Sequence, residues 1–156
     1  MLTTTIAFTV PSPLAKAFNY VSDLENLPEW DSYILECKRV PGTNRYELKV
    51  GIGFWKLASY YNLEEEKYPT RIVITKENRF LQLRDTYSFY PDPKGTDTDT
   101  KIVFTNRFRL KRLGCLLNVW LHRKIRNQIC KDMRSLQETL SQGKMIRSRS
   151  FQVIKS

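Results

Sequence analysis

Histidine, cysteine and glycine are scarce in this 156-residue chain: one histidine, three cysteines and six glycines. His122 together with the dispersed Cys37, Cys115 and Cys130 offers no metal-ligand spacing, so neither a metal site nor a cofactor is expected. His122 stands beside Arg123 and Lys124 with no acid near it in sequence. That argues against a nucleophile triad built on it and makes it an ordinary surface residue. The cysteines are too few and too scattered for a disulfide framework; Cys115 and Cys130, on one predicted helix, stand about 22 Å apart at ~1.5 Å per residue. Gly51-Ile52-Gly53 lacks the third glycine and the following helix of a dinucleotide fingerprint and reads as a turn. No run approaches the ~18 apolar residues of a membrane span, and Met1-Leu2-Thr3-Thr4-Thr5 has neither the charged start nor the apolar stretch of a secretory signal. A soluble protein of the reducing cytoplasm is expected. Internal repeats are absent, as is the pattern of alternating aromatics and glycine that stacks RNA bases.

Acid is scarce in one place. Residues 1–106 are nearly neutral, net −1, whereas residues 107–156 carry 13 Lys+Arg against Asp132 and Glu138 alone, net +11. A block of one sign suits an anionic partner, either a membrane surface or RNA, and equally a solvated helix face followed by a loose tail.

What is present is enough for one domain. At 41% hydrophobic, a chain of this length buries roughly 68–70% of its unfolded surface around a single core. Ile6, Phe8 and Val10 alternate with Thr5, Ala7 and Thr9, the two-residue period of a half-buried strand. Pro11-Ser12-Pro13 ends it, with Ser12 placed as N-cap and Pro13 as first residue of a short helix carrying Leu14, Phe18 and Val21. A second short turn or helix follows, limited by Pro28 and anchored by Trp30. Strands are then predicted at about 33–40, 45–51, 54–65, 71–77, 80–90 and 100–110, separated by turn chemistry such as Pro41-Gly42-Thr43-Asn44. Their connections are too short for crossover helices, so the sheet is antiparallel. A long helix over about 111–141 closes the domain, its stripe of Ile125, Ile129, Met133, Leu136 and Leu140 facing the sheet. The apolar run of residues 113–121 centres on another face. It reads as core, or as a bend or lid that meets an anionic membrane. Residues 142–156 form a basic tail expected to fray, although Phe151 and Val153-Ile154 offer apolar groups that could dock.

This order resembles the START-like polyketide cyclase and dehydrase superfamily, the helix-grip proteins. The likeness rests on Phe8-Thr9-Val10-Pro11-Ser12-Pro13 leading into a helix ending Val21-Ser22-Asp23, and on Pro28-Glu29-Trp30. It continues through Lys67-Tyr68-Pro69-Thr70-Arg71-Ile72, Phe89-Tyr90-Pro91 with Gly95-Thr96, and the closing helix. It covers residues 2–141 and implies an α+β fold in which a curved antiparallel sheet of about seven strands wraps a long C-terminal helix, with two short helices after the first strand. Proteins of this fold include lipid carriers, receptors and cyclases, so the resemblance leaves function open.

Strand parity supplies the candidate site. Leu83, Asp85, Tyr87 and Phe89 share a face on one strand, and Ile102, Phe104, Asn106 and Phe108 share a face on the next. If both faces point inward across a hairpin centred on Gly95-Thr96, Phe89 pairs with Ile102, Tyr87 with Phe104 and Asp85 with Asn106. A carboxylate and an amide facing an apolar interior are orienting groups of the kind a greasy pocket uses; equally, they satisfy one another as buried polar groups do. Burial is expected to raise the Asp85 pKa. Tyr60 or Tyr61, whichever faces in, adds a hydroxyl, and Leu117 and Trp120 on the helix complete the expected ligand-binding set.

Three functions fit these residues. The first is a carrier for a hydrophobic small molecule such as a lipid, quinone or polyketide. The second is a cyclase or dehydratase using the same cavity with Asp85 as acid or base. The third is an interaction module whose basic residues 107–156 meet RNA, a ribosome or a membrane surface.

Overall fold

The alternating apolar residues of the chain's first segment make a strand that the computed structural model sets next to one edge of the sheet. The structure describes residues 2–79, 81–92, 98–111, 115–141 and 151–154, with backbone alone for 115–121. Along the chain run β1 (Leu2–Val10), α1 (Leu14–Ser22), a 3-10 turn (Leu24–Glu29), β2 (Ile34–Arg39), β3 (Arg45–Ile52), β4 (Trp55–Lys67), β5 (Arg71–Glu77), β6 (Leu81–Pro91), β7 (Thr100–Leu110), α2 (Cys115–Ser141) and β8 (Gln152–Ile154). The strands form one curved antiparallel sheet in the order β2-β3-β4-β5-β6-β7-β1-β8. Bulges at Ile34/Glu36 in β2 and Leu63/Glu65 in β4 add local bend and twist.

The sheet has eight strands where about seven were expected, and the extra one comes from the tail expected to fray. Residues 152–154 pair with Ala7 to Thr5. The Phe151 ring stacks on Phe8 at 6.0 Å, and the Arg134 guanidinium lies 5.1 Å over it. The physical reason is the outer edge of β1, whose backbone groups need partners, together with the apolar Phe151 and Val153 that pack against the core. Residues 142–150 and the last two lie outside the described residues.

The stripe predicted on the long helix is the buried one: Met133, Leu136 and Leu140 join Ile6, Phe8, Phe18, Phe89 and Ile102 in a single cluster. Cys115–Ser141 is one helix, so no separate short helix precedes His122 within it. Gln137 on α2 donates to the Thr9 carbonyl at 2.9 Å, tying helix to sheet. At α1 the cap moves by one residue. Pro13 is the N-cap, its carbonyl accepting from the Ala17 N–H, so the Ser12 hydroxyl caps nothing; the Ser12 carbonyl instead accepts from Thr100 Oγ1 at 2.7 Å. Trp30, read as a core anchor, is buried.

Candidate functional site

The β6–β7 register is the one the hairpin arithmetic requires: Phe89 opposite Ile102, Tyr87 opposite Phe104 and Asp85 opposite Asn106. Because cross-strand partners share a face, the concave side of the sheet can be read in rows. One row runs Ile74, Asp85, Asn106 and Thr4 across β5, β6, β7 and β1. A row of Ile72, Tyr87, Phe104 and Ile6 lies on one side of it, and a row of Lys76, Leu83, Phe108 and Leu2 on the other. A short polar line therefore crosses a largely apolar and aromatic surface, which also carries Lys76, its ammonium 6.0 Å from the Tyr61 ring and its pKa lowered by burial.

Asp85 and Asn106 are 9% and 4% exposed, and Asn106 Nδ2 donates to Asp85 Oδ1 at 2.6 Å. Burial pushes the Asp85 carboxyl up to about 7; the Asn106 hydrogen bond works against that rise and the charge of Asp31 adds to it. Around the pair stand Tyr87 and Phe104, with ring centroids 4.8 Å apart, and Trp30, whose ring meets Tyr87 edge-on at 6.3 Å. The Trp30 Nε1 donor is buried without a hydrogen-bond partner among the described residues. Tyr61 is the tyrosine that faces in, paired with buried Tyr46. Burial, then the charges of Asp85 and Asp31, raises its hydroxyl well above the ordinary tyrosine value. Tyr60 faces out, donating to the Glu77 carbonyl at 2.6 Å under the Arg45 guanidinium.

A second polar group joins α2 to the turn before β2. Asp132 Oδ1 accepts from the Ser32 N–H at 3.4 Å, the Ser32 hydroxyl at 3.1 Å and Gln128 Nε2 at 2.9 Å. Burial raises the Asp132 pKa against these hydrogen bonds, and burial with the Asp132 charge lifts neighbouring Asp31 to about 6. Among the described residues no three His, Cys, Asp or Glu side chains are grouped to hold a metal ion. An open hollow of about 430 Å³ lies on the outer face of β2–β4, lined by Glu36, Lys38, Glu47, Lys49 and Tyr60. Its alternating charges mark a solvated surface remote from the inner row, so the candidate site is placed inside.

The profile of the family described as polyketide cyclase / dehydrase and lipid transport matches residues 1–140. The chain belongs to that family. Its fold recurs in a protein of Thermus thermophilus (TM-score 0.72, 17% identity, 92% of this chain and 100% of that one). It recurs in a START superfamily protein of Mycobacterium smegmatis (0.65, 16%, 88% and 98%). The di-domain aromatase/cyclase BexL of the BE-7585A biosynthetic pathway is similar too (0.73, 14%, 88% and 46%). At these identities the likeness carries the fold. None of the curated proteins matches.

In this member of the polyketide cyclase / dehydrase and lipid transport family, the inner face thus carries Asp85, Asn106, Tyr87, Phe104, Phe89, Phe108 and Leu83, as parity predicted. Those seven share one wall, whereas the side chains of Leu117 and Trp120 lie outside the described residues. Sequence reading missed Thr4, Asp31, Asp132 and Gln128. Thr4 shares the parity of Ile6 and Phe8 and was findable on that signal. Asp31 and Asp132 carried no such signal, because a fold-level contact across about a hundred residues joins their segments. His122, expected on the surface, is half-buried.

Proposed function

We propose that the chain binds a hydrophobic small molecule, lipid-, quinone- or polyketide-like, between the concave face of the sheet and α2. Asp85 and Asn106 hold its polar end. The observation that carries this reading is the buried Asp85–Asn106 line crossing a wall of Tyr87, Phe104, Phe89, Phe108 and Leu83. Such a wall rewards apolar burial: a guest hiding ~400 Å² gains about 10 kcal/mol gross at ~25 cal/mol/Å². Association costs several kcal/mol or more, which leaves micromolar affinity with orientation supplied by the few polar groups. Trp30 Nε1, without a partner among the described residues, adds a donor for the same guest. Native mass spectrometry of the purified chain tests the reading. The expected result is a bound mass of a few hundred daltons, on the order of a lipid or quinone, that Phe104→Trp displaces. Apoprotein mass in every preparation, with no saturable uptake of a neutral apolar probe, would overturn it.

A specific observation favours a second reading. A carboxyl held at about 7 is poised to give or take a proton at neutral pH, as a cyclase or dehydratase acting at this inner wall requires. Loss of turnover with retained binding in Asp85→Asn supports the enzyme; unchanged turnover removes it.

A further inference from the structure

The turn between β3 and β4 is the least buried apolar feature among the described residues. Gly53, at φ +58 in the first central position of a two-residue turn, closes the Ile52–Trp55 pair tightly. The Phe54 ring is left fully exposed, Trp55 is 74% exposed, and Ile52 and Leu57 are about half exposed. Single exposed apolar residues are ordinary; four within six positions are not. The tip also overhangs its sheet. The ladder from β4 to β5 begins at Asn62, and Tyr60 reaches the end of β5 at Glu77, so residues 55–59 extend past β5. By parity Ile52, Trp55 and Leu57 lie on the concave face with Val50, Leu48 and Tyr46. The inner wall therefore continues as an apolar surface out to the tip. The same end of the sheet holds the end of β7 at Leu110, five residues before α2 begins.

Charge says what such a tip meets. On the outer face beside it Lys49 pairs with Glu36 at 2.9 Å, while Lys38 and Lys56 also act on that carboxylate. Lys38 stands opposite Glu47 as well. The three lysines outnumber these two acids by one, so the outer face behind the aromatic tip carries a small positive excess, with Lys56 next to Trp55. Aromatic rings in front of lysines suit the boundary between lipid headgroups and acyl chains, where rings enter and ammonium groups reach the phosphates.

We propose that the β3–β4 tip docks the chain on an anionic lipid surface, Phe54 and Trp55 entering the acyl boundary while Lys38, Lys49 and Lys56 meet the headgroups. Docked this way, the concave wall opens toward the bilayer. The proposal stands apart from the small-molecule reading, since vesicle binding requires no guest in the interior.

Co-sedimentation of the full chain with vesicles of phosphatidylcholine, alone or with ~30% phosphatidylglycerol, tests it. Wild type is expected on the anionic vesicles, with partitioning reduced at least ~10-fold by Phe54→Ser with Trp55→Ser, and similarly by Lys38→Glu with Lys56→Glu. These side chains are exposed, so circular dichroism of the variants should match wild type. As a second readout, acyl-brominated lipid should quench tryptophan fluorescence in wild type and lose that effect in Trp55→Phe. Three results would overturn the proposal. One is no vesicle binding by wild type. Another is binding by the Phe54/Trp55 variant within about twofold of wild type, which assigns attachment to the basic residues 107–156. The third is a dimer that this variant abolishes, which assigns the tip to a second copy.

Discussion

Replacing Asp85 by asparagine removes a titrating proton from the interior while keeping the side chain's shape and the oxygen that Asn106 uses as acceptor. In the folded chain this carboxyl is held at about 7; in an unfolded chain an aspartate titrates near ~3.9. The folded state therefore binds the proton more tightly. Its contribution to stability is fully present below pH ~4, falls as pH rises through the window between the two values, and is gone above ~7. At about 1.4 kcal/mol per pH unit the window is worth on the order of 4 kcal/mol. Asp85→Asn has no such window. Asp132 titrates in both proteins and largely cancels in the difference between them, whereas the Asp31 charge, which adds to the rise at Asp85, is part of that difference. Urea unfolding followed by circular dichroism, from about pH 4.5 to about pH 8.5, reads the effect. The variant should lie close to wild type at the acid end and become the more stable protein by several kcal/mol at the alkaline end. A difference that does not move with pH, or that grows in favour of wild type as pH rises, would show that Asp85 is solvated and ionised in the folded chain. The reasoning about the polar line would then fail.

Other perturbations probe the parts that hold this wall in place. Asp132→Ala strands the Ser32 and Gln128 donors and should lower stability by ~1–3 kcal/mol, with Asp132→Asn milder because its oxygen still accepts; thermal unfolding compares them. Phe151→Ala removes the stack on Phe8 and the anchor of β8. A loss of ~1–3 kcal/mol is expected, with faster amide exchange along Thr5 to Ala7. Arg84→Ala breaks a two-oxygen contact with Glu64 on the exposed side of the sheet and should cost less than ~1 kcal/mol in the same assay.

The inner wall was legible in the sequence because two-residue periodicity is a local signal and one hairpin turn relates two strands by simple addition. Asp85 opposite Asn106 follows from those two facts alone. The helix stripe was legible for the same reason, in its own period. The eighth strand was not: three residues show too little alternation, and β8 pairs with a strand at the far end of the chain. The meeting of Asp132 with Ser32 was hidden likewise, since it depends on how α2 lies across the turn before β2. A turn was read at Gly51-Ile52-Gly53, but Gly51 and Ile52 are paired within β3 and the turn is Gly53-Phe54; the exposure of Phe54 and Trp55 is a property of how far the hairpin overhangs β5, which no residue type announces.

The most direct measurement is an NMR titration of the isotope-labelled chain with a neutral long-chain alcohol or quinone, following the Asn106 side-chain amide and the methyls of Ile6, Ile74 and Ile102. The account predicts that these resonances shift together and saturate at one guest per chain. Saturable shifts confined to the outer face, around Lys38, Lys49 and Tyr60, with the Asn106 amide unmoved, would contradict it.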